Sequence, residues 1–337
     1  MKTNSNIAFF VKLSNSIGLG HFIRLVDLQK KLNAKHVIWI IAGKNKIIYS
    51  YVKKKYIYKT INFQSLNILK ILKSNNITKI IMDLSSKEYL IKNKIYQIQK
   101  FYKSKNFKVI SFDIPIRKKK IISNLSIIPY DISSKIKKDK RSELIVGTNL
   151  LLNGKKNYYK KKLVNKKIKR VLICISGTDP KNIAYKVYKH IKHLQFSFDV
   201  IVGNNFEKIK IDKKNINKKD RIYRNIKNIT KKIAEVDAVI CGEGLIKYES
   251  VFQKKPTILI HQYDTDSPMI KNFLKTKTCL SLGLYRKLNS KRILIKIKDY
   301  LNNINLINKN IENMNKYFDY NENNIRNRLM IKKIIKI

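Results

Sequence analysis

Four short segments of this 337-residue chain carry residue types and spacings that can do chemistry. The first is Gly18-Leu19-Gly20-His21 with Arg24 three residues on. Paired glycines let a chain turn sharply and let a ligand approach the backbone. If a helix starts here, its free N–H groups and positive dipole end suit an anion. His21 at that opening is the side chain best able to exchange a proton near neutral pH. The third glycine of a dinucleotide fingerprint is missing. The second segment is Ser176-Gly177-Thr178-Asp179-Pro180, which reads either as a phosphate cradle or as a capped helix start with Pro180 in its first turn. The third is Cys241-Gly242-Glu243-Gly244, with Glu249 five residues further on and able to accept from both hydroxyls of a ribose. A solvated helix carboxylate is the plainer alternative for Glu249. The fourth runs from Pro256 to Pro268 and holds His261, Asp264, Asp266 and Ser267. Its Asp-Thr-Asp lacks the glycine and terminal glutamate of a calcium loop, so no metal is expected, and no cofactor either. His261 ends an apolar run and reads as a core histidine.

These segments need a frame. Short apolar runs rich in β-branched residues alternate with longer amphipathic stretches, the pattern of βαβ units and a parallel sheet. Strands are expected over 7–13, 37–42, 79–83, 108–112 and 124–128, with a helix from the glycine turn to about Leu32. The polar stretch that opens with Asn153-Gly154 reads as a passage between domains. Beyond it strands are expected over 170–175, 198–202, 238–241 and 257–261. Helices are expected over 180–193, 226–234, 245–252 and 269–274, and again from about Asn289 onward. The expected organisation is a Rossmann-like domain over 1–153, a linker over 154–168 and a nucleotide-binding domain over 169–337, whose last helix returns to the first domain. Two such halves predict a central cleft. Each chemical segment follows a strand, where ligands of open parallel sheets bind.

The formal net charge of +52 invites a nucleic-acid or anionic-membrane reading. Only 10 of the 74 basic residues are Arg, however, and Lys recurs along the whole chain beside abundant Asn and Ile. A nucleic-acid face favours Arg for bidentate contacts, so the charge reads as codon bias and no specific nucleic-acid partner is expected. Three cysteines without a CxxC pair give neither a disulfide framework nor a zinc site. Apolar runs are strand-sized, so no membrane span or signal peptide is expected, and the chain reads as a cytoplasmic monomer.

The order and spacing of the motifs carry a resemblance over residues 7 to 285. Gly-Leu-Gly-His-x-x-Arg after the first strand, Gly-Thr-Asp-Pro opening the second half, and Gly-x-Gly-x(4)-Glu before a Lys-x-Pro strand together resemble the nucleotide-sugar hydrolases of pseudaminic acid synthesis. They also resemble the related spore-coat polysaccharide proteins. The segment Ile-Ser-Phe-Asp-Ile-Pro around Asp113 is similar to that group's Ser-Phe-Asp-Asp. The resemblance implies the GT-B fold, an α/β architecture of two Rossmann-like domains shared with glycosyltransferases. It implies release of UDP from a UDP-diacetamido-trideoxy-hexose by water, as a step in surface polysaccharide biosynthesis, with His21 acting on the water. Gly18, Gly20 and Arg24 would lie at the substrate. Gly177, Thr178 and Asp179 with Gly242 and Gly244 would hold the diphosphate, and Glu249 the ribose. The chain departs from the group where Ser176 replaces a glycine, and where Asp266 and Ser267 replace Asn-Gln. Those departures leave open a glycosyltransferase that uses the same UDP-sugar donor site.

Overall fold

The structure is a computed structural model. It describes residues 6–12, 20–34, 36–42, 57–61, 68–84, 107–112, 123–129, 142–147, 167–203, 216–224, 226, 228–263 and 268–337. The expected linker over 154–168 lies almost wholly outside these residues, as do Asp113, Gly18, Asp264, Asp266 and Ser267. The chain divides into two compact units. One comprises Met1–Gly154 and Asn323–Ile337, the other Lys155–Glu322.

The first unit is built on a seven-stranded parallel sheet. Its strands are β1 (Ile7–Lys12), β2 (Val37–Ala42), β3 (Ile57–Ile61), β4 (Lys79–Asp83), β5 (Lys108–Phe112), β6 (Leu125–Ile128) and β7 (Glu143–Val146). Their order is β3-β2-β1-β4-β5-β6-β7. The chain leaves β1 toward β2 and β3, then returns on the other side with β4, so the switch point lies between β1 and β4. Alternate β1 residues feed opposite faces. Ile7, Phe9 and Val11 join a core with α1 (Gly20–Leu32), whereas Ala8 and Phe10 pack with Leu72 of α2 (Ile68–Ser74). Helix α1 forms because Phe22, Leu25, Val26 and Leu32 recur on one stripe that the sheet buries. Lys30 and Lys31 in its last turn suit the negative dipole end, and Asn33 (φ 46°) supplies the left-handed residue that ends it.

The second unit holds a six-stranded parallel sheet of β8 (Arg170–Cys174), β9 (Ser197–Val202), β10 (Arg221–Arg224), β11 (Ala238–Cys241), β12 (Thr257–His261) and β13 (Leu280–Leu284). The order is β10-β9-β8-β11-β12-β13, with its own switch point between β8 and β11. Helices α3 (Ile183–Ile191), α4 (Ile229–Ala234), α5 (Leu245–Phe252), α6 (Pro268–Lys275), α7 (Ser290–Asn302) and α8 (Ile304–Tyr317) accompany it. The helix expected over 180–193 is shorter, because Asn182 is left-handed (φ 53°) and cannot continue an α-helix backward. Likewise the helix expected from residue 226 begins only at Ile229, where the Asn228 side chain accepts from the Lys231 N–H.

Helix α9 (Tyr320–Lys336) carries the chain back into the first unit, where Met330 and Ile334 enter the β1 core. Buried Lys79 donates to the carbonyls of Ile334 and Ile335 at 2.7 and 3.1 Å, capping that helix. The second unit repeats the device. Buried Lys254 donates to the carbonyls of Met314 and Phe318 at the end of α8, at 2.7 and 2.6 Å. Burial lowers the Lys79 pKa, yet the ammonium repays its desolvation by serving two carbonyls. Lys79→Met should therefore cost about 1–3 kcal/mol. It should also speed hydrogen exchange selectively in α9, and unchanged exchange there would refute the capping role. Among the described residues no helix is long and apolar enough to cross a membrane.

Candidate functional site

Val11 and Asp83 are register partners at the carboxyl ends of β1 and β4, on either side of the first switch point. Ligands of open α/β sheets bind there. Gly20 begins α1, so His21 and Arg24 sit in the helix's first turns above that edge. His21 Nδ1 lies 2.6 Å from Asp83 Oδ1. Arg24 grips the same carboxylate with two bonds, Nε to Oδ2 at 2.6 Å and Nη2 to Oδ1 at 2.8 Å. The guanidinium also lies 5.4 Å from the centre of the Phe112 ring. Asp83 is wholly buried, Arg24 is 5% exposed and the His21 side chain 21%. Burial alone would push the Asp83 carboxyl up. The Arg24 and His21 charges and hydrogen bonds outweigh it and hold the group below its ordinary range.

This fixes the histidine chemistry. An ionised carboxylate only accepts, so Nδ1 carries the hydrogen, and it is Nε2 that holds the lone pair whenever the ring is neutral. Arg24 Nη2 lies 3.4 Å from the same Nδ1, and two donors cannot bond there. The neutral imidazole is thus held in one tautomer and one orientation. Arg24, expected at the ligand, is instead turned inward onto Asp83. Asp83 itself was missed by sequence reasoning. Its signal was only a carboxylate ending a buried strand, and its partner lies 62 residues away. A cavity of about 320 Å³ between α1 and α9 is lined by Lys31, Asn327 and Arg328. Lys31 is ten residues down the helix from His21, roughly 15 Å, so this cavity is separate from the histidine.

In the second unit the loops after β8 and β11 meet at the second switch point. The Gly242 N–H donates to the Ile175 carbonyl at 3.1 Å. A Cβ at Gly242 would come within 2.4 Å of that oxygen, so only glycine fits. A Cβ at Gly203, after β9, would likewise meet the Thr178 carbonyl oxygen at 2.2 Å. Thr178 is buried, whereas Gly177 is exposed. Asp179, expected at the diphosphate, accepts from the Ile183 and Ala184 N–H groups at 3.0 and 2.9 Å. Its N–H in turn donates to Ser176 Oγ at 2.8 Å. The carboxylate caps α3 and fills that helix's anion position.

Helix α5 is different. Its N-cap is Gly244, with φ −72°, exposed, and with no atom within 4 Å of an added Cβ. Glu243 points the other way, accepting from the Gln262 and Tyr263 N–H groups at 3.0 and 3.2 Å, which ties this turn to the end of β12. Glu249 is half-buried on α5, with Thr230 Oγ1 of α4 3.5 Å from its Oε2. His261 is buried, its Nε2 2.9 Å from Ser281 Oγ. Burial first, and Lys247 second, lower its pKa to about 4, so it is a neutral core residue at pH 7.

No family model matches the sequence. The chain is 25% identical over 297 residues to the uncharacterized protein MJ1062 of Methanocaldococcus jannaschii, covering 80% of itself and 58% of that protein. It therefore spans little more than half the length of that relative. Among solved structures, MurG of Acinetobacter baumannii superposes with a TM-score of 0.66 at 10% identity, over 98% of this chain and 100% of that one. The spinosyn rhamnosyltransferase SpnG complexed with thymidine diphosphate matches at 0.59 and 10%, over 96% and 99%. UGT89C1 of Arabidopsis thaliana complexed with quercetin matches at 0.62 and 11%, over 97% and 99%. With two parallel-sheet units and these likenesses, the chain has the GT-B fold.

Proposed function

We propose that this chain is a glycosyltransferase that takes a nucleotide sugar as donor and uses His21 as its general base. The observation that carries the reading is the His21–Asp83 pair at a sheet switch point of a GT-B fold. In this reading Nε2 removes the proton of an acceptor hydroxyl, which attacks the anomeric carbon. The bond to the nucleoside diphosphate breaks, and the diphosphate leaves as an anion. The first unit supplies the base and the second the donor site. There the N-terminus of α5 at Gly242–Gly244, with the loop at Gly177 and Thr178, faces the diphosphate, and Glu249 the ribose. Gly18, Asp266 and Ser267 belong to the same proposal on motif position alone.

The motif order places water first as acceptor, with a UDP-diacetamido-trideoxy-hexose as substrate. SpnG is a rhamnosyltransferase complexed with a nucleoside diphosphate, and that likeness moves a hydroxyl acceptor ahead of water. Hydrolysis stays as the second reading because the Gly-Leu-Gly-His-x-x-Arg motif resembles a hydrolase group. The chemistry at His21 is common to both.

Thermal melting with UDP, TDP, GDP and CMP tests the donor class, since a ligand that binds only the folded state raises Tm. A shift with UDP or TDP is expected, and no shift with any at millimolar concentration would sink the reading. Donor consumed without an acceptor would establish hydrolysis over transfer. His21→Ala should lower turnover by about 10²- to 10⁴-fold and leave nucleotide affinity within about twofold. Equal loss of binding would make His21 a ligand anchor instead.

A further inference from the structure

We infer that Lys247 is the positioning residue of the donor diphosphate loop, setting two backbone N–H groups outward from beneath without touching the ligand. The inference deepens the nucleotide-sugar reading and rests on it. Lys247 lies in the first turn of α5, and its side chain is completely buried. Its Nζ donates to the carbonyls of Glu243 and of Gly244, the latter at 3.3 Å. The ammonium also lies 4.2 Å from the Tyr248 ring centre and 5.3 Å from that of Phe273.

A lysine is the wrong residue here for helix stability. The N-terminal turn is the positive end of the dipole and favours a carboxylate. Burying an ammonium adds a desolvation cost. Glu243, the carboxylate four residues before it, is committed to the Gln262 and Tyr263 N–H groups. What the lysine does achieve is peptide orientation. In a trans peptide the C=O and N–H point to opposite sides. Drawing the carbonyls of Glu243 and Gly244 inward turns the N–H groups of Gly244 and Leu245 away from the core. Gly244 is exposed, with open space where its side chain would stand. The same turn is clamped on its flanks by the Gly242–Ile175 and Glu243–Gln262 bonds, so these two donors are preset. Behind them sits a fixed positive charge. Two aligned N–H donors backed by a buried cation match a diphosphate in both hydrogen bonding and charge.

The test compares UDP with uridine by calorimetry on the full chain, because a positioning role predicts loss of the phosphate increment only. Lys247→Met keeps the buried volume and removes the ammonium. It should weaken UDP about ten- to hundredfold and leave uridine within about twofold. Gly244→Pro is the second variant. It removes one outward N–H with Lys247 in place, and φ −72° already fits proline. It should show the same UDP-selective loss, and it decides the matter if Lys247→Met does not fold. Wild-type affinity for UDP in a folded Lys247→Met, or parallel loss of UDP and uridine in either variant, would overturn the inference alone. A wild-type chain that binds no nucleoside diphosphate would instead overturn the donor reading, and this inference with it.

Discussion

Asp83→Asn is expected to cut turnover by about 10³- to 10⁴-fold while nucleotide affinity stays within about twofold, the scale of replacing the carboxylate that orients a catalytic histidine. The substitution keeps the size of the side chain but changes what it offers. A carboxylate can only accept, so it compels His21 to carry its hydrogen on Nδ1. Asparagine can present its amide N–H to Nδ1, which favours the opposite tautomer and leaves Nε2 protonated and unable to act as base. Steady-state rates at a temperature well below the variant's Tm, with UDP affinity measured in parallel, give the answer. Turnover within about tenfold of wild type would mean that the pair only holds α1 against β4.

Arg24→Met is expected to destabilise the first unit by about 3–5 kcal/mol at neutral pH, because it leaves a wholly buried carboxylate without its main counter-charge. The pH dependence should also reverse. In the wild type the Asp83 pKa is depressed, so its contribution is complete above the unfolded carboxyl value of about 3.9 and is lost as pH falls through the lower folded value. In Arg24→Met burial dominates, and the folded pKa rises above the unfolded one. That carboxyl then costs least below about pH 4, and its penalty grows as pH rises through the raised value. Urea unfolding at pH 7.5 and pH 5 should therefore show the variant recovering part of its deficit on acidification. A deficit that is the same at both pH values would refute the buried-charge account.

The sequence was most informative where strands are buried on both faces. Ile7–Val11, Val37–Ile41 and Arg170–Cys174 are largely apolar runs, and all lie inside their sheets. The four strands not anticipated are β3, β7, β10 and β13, the four sheet edges. Two of them, Glu143–Val146 and Arg221–Arg224, mix charges into the run and are half-exposed, since an edge has one neighbour and more water. Legibility of the candidate site had a similar limit. His21 announced itself through the glycines beside it. Asp83 did not, because its meaning depends on β4 returning next to β1, which no local pattern encodes. Arg24 and Asp179 show the other limit. A charge in a motif gives no direction, and both turn inward, to a carboxylate and to a helix end.

The return of α9 has a consequence for synthesis. The second unit is an insertion in the first, so translation delivers Lys155–Glu322 complete while the first unit still lacks a wall. Until residues 323–337 leave the ribosome, the core around Phe9 and Trp39 lacks Met330 and Ile334, and Lys79 has no helix-end carbonyls to serve. The half that holds the proposed base would thus be the last to close, after the proposed donor site has already folded.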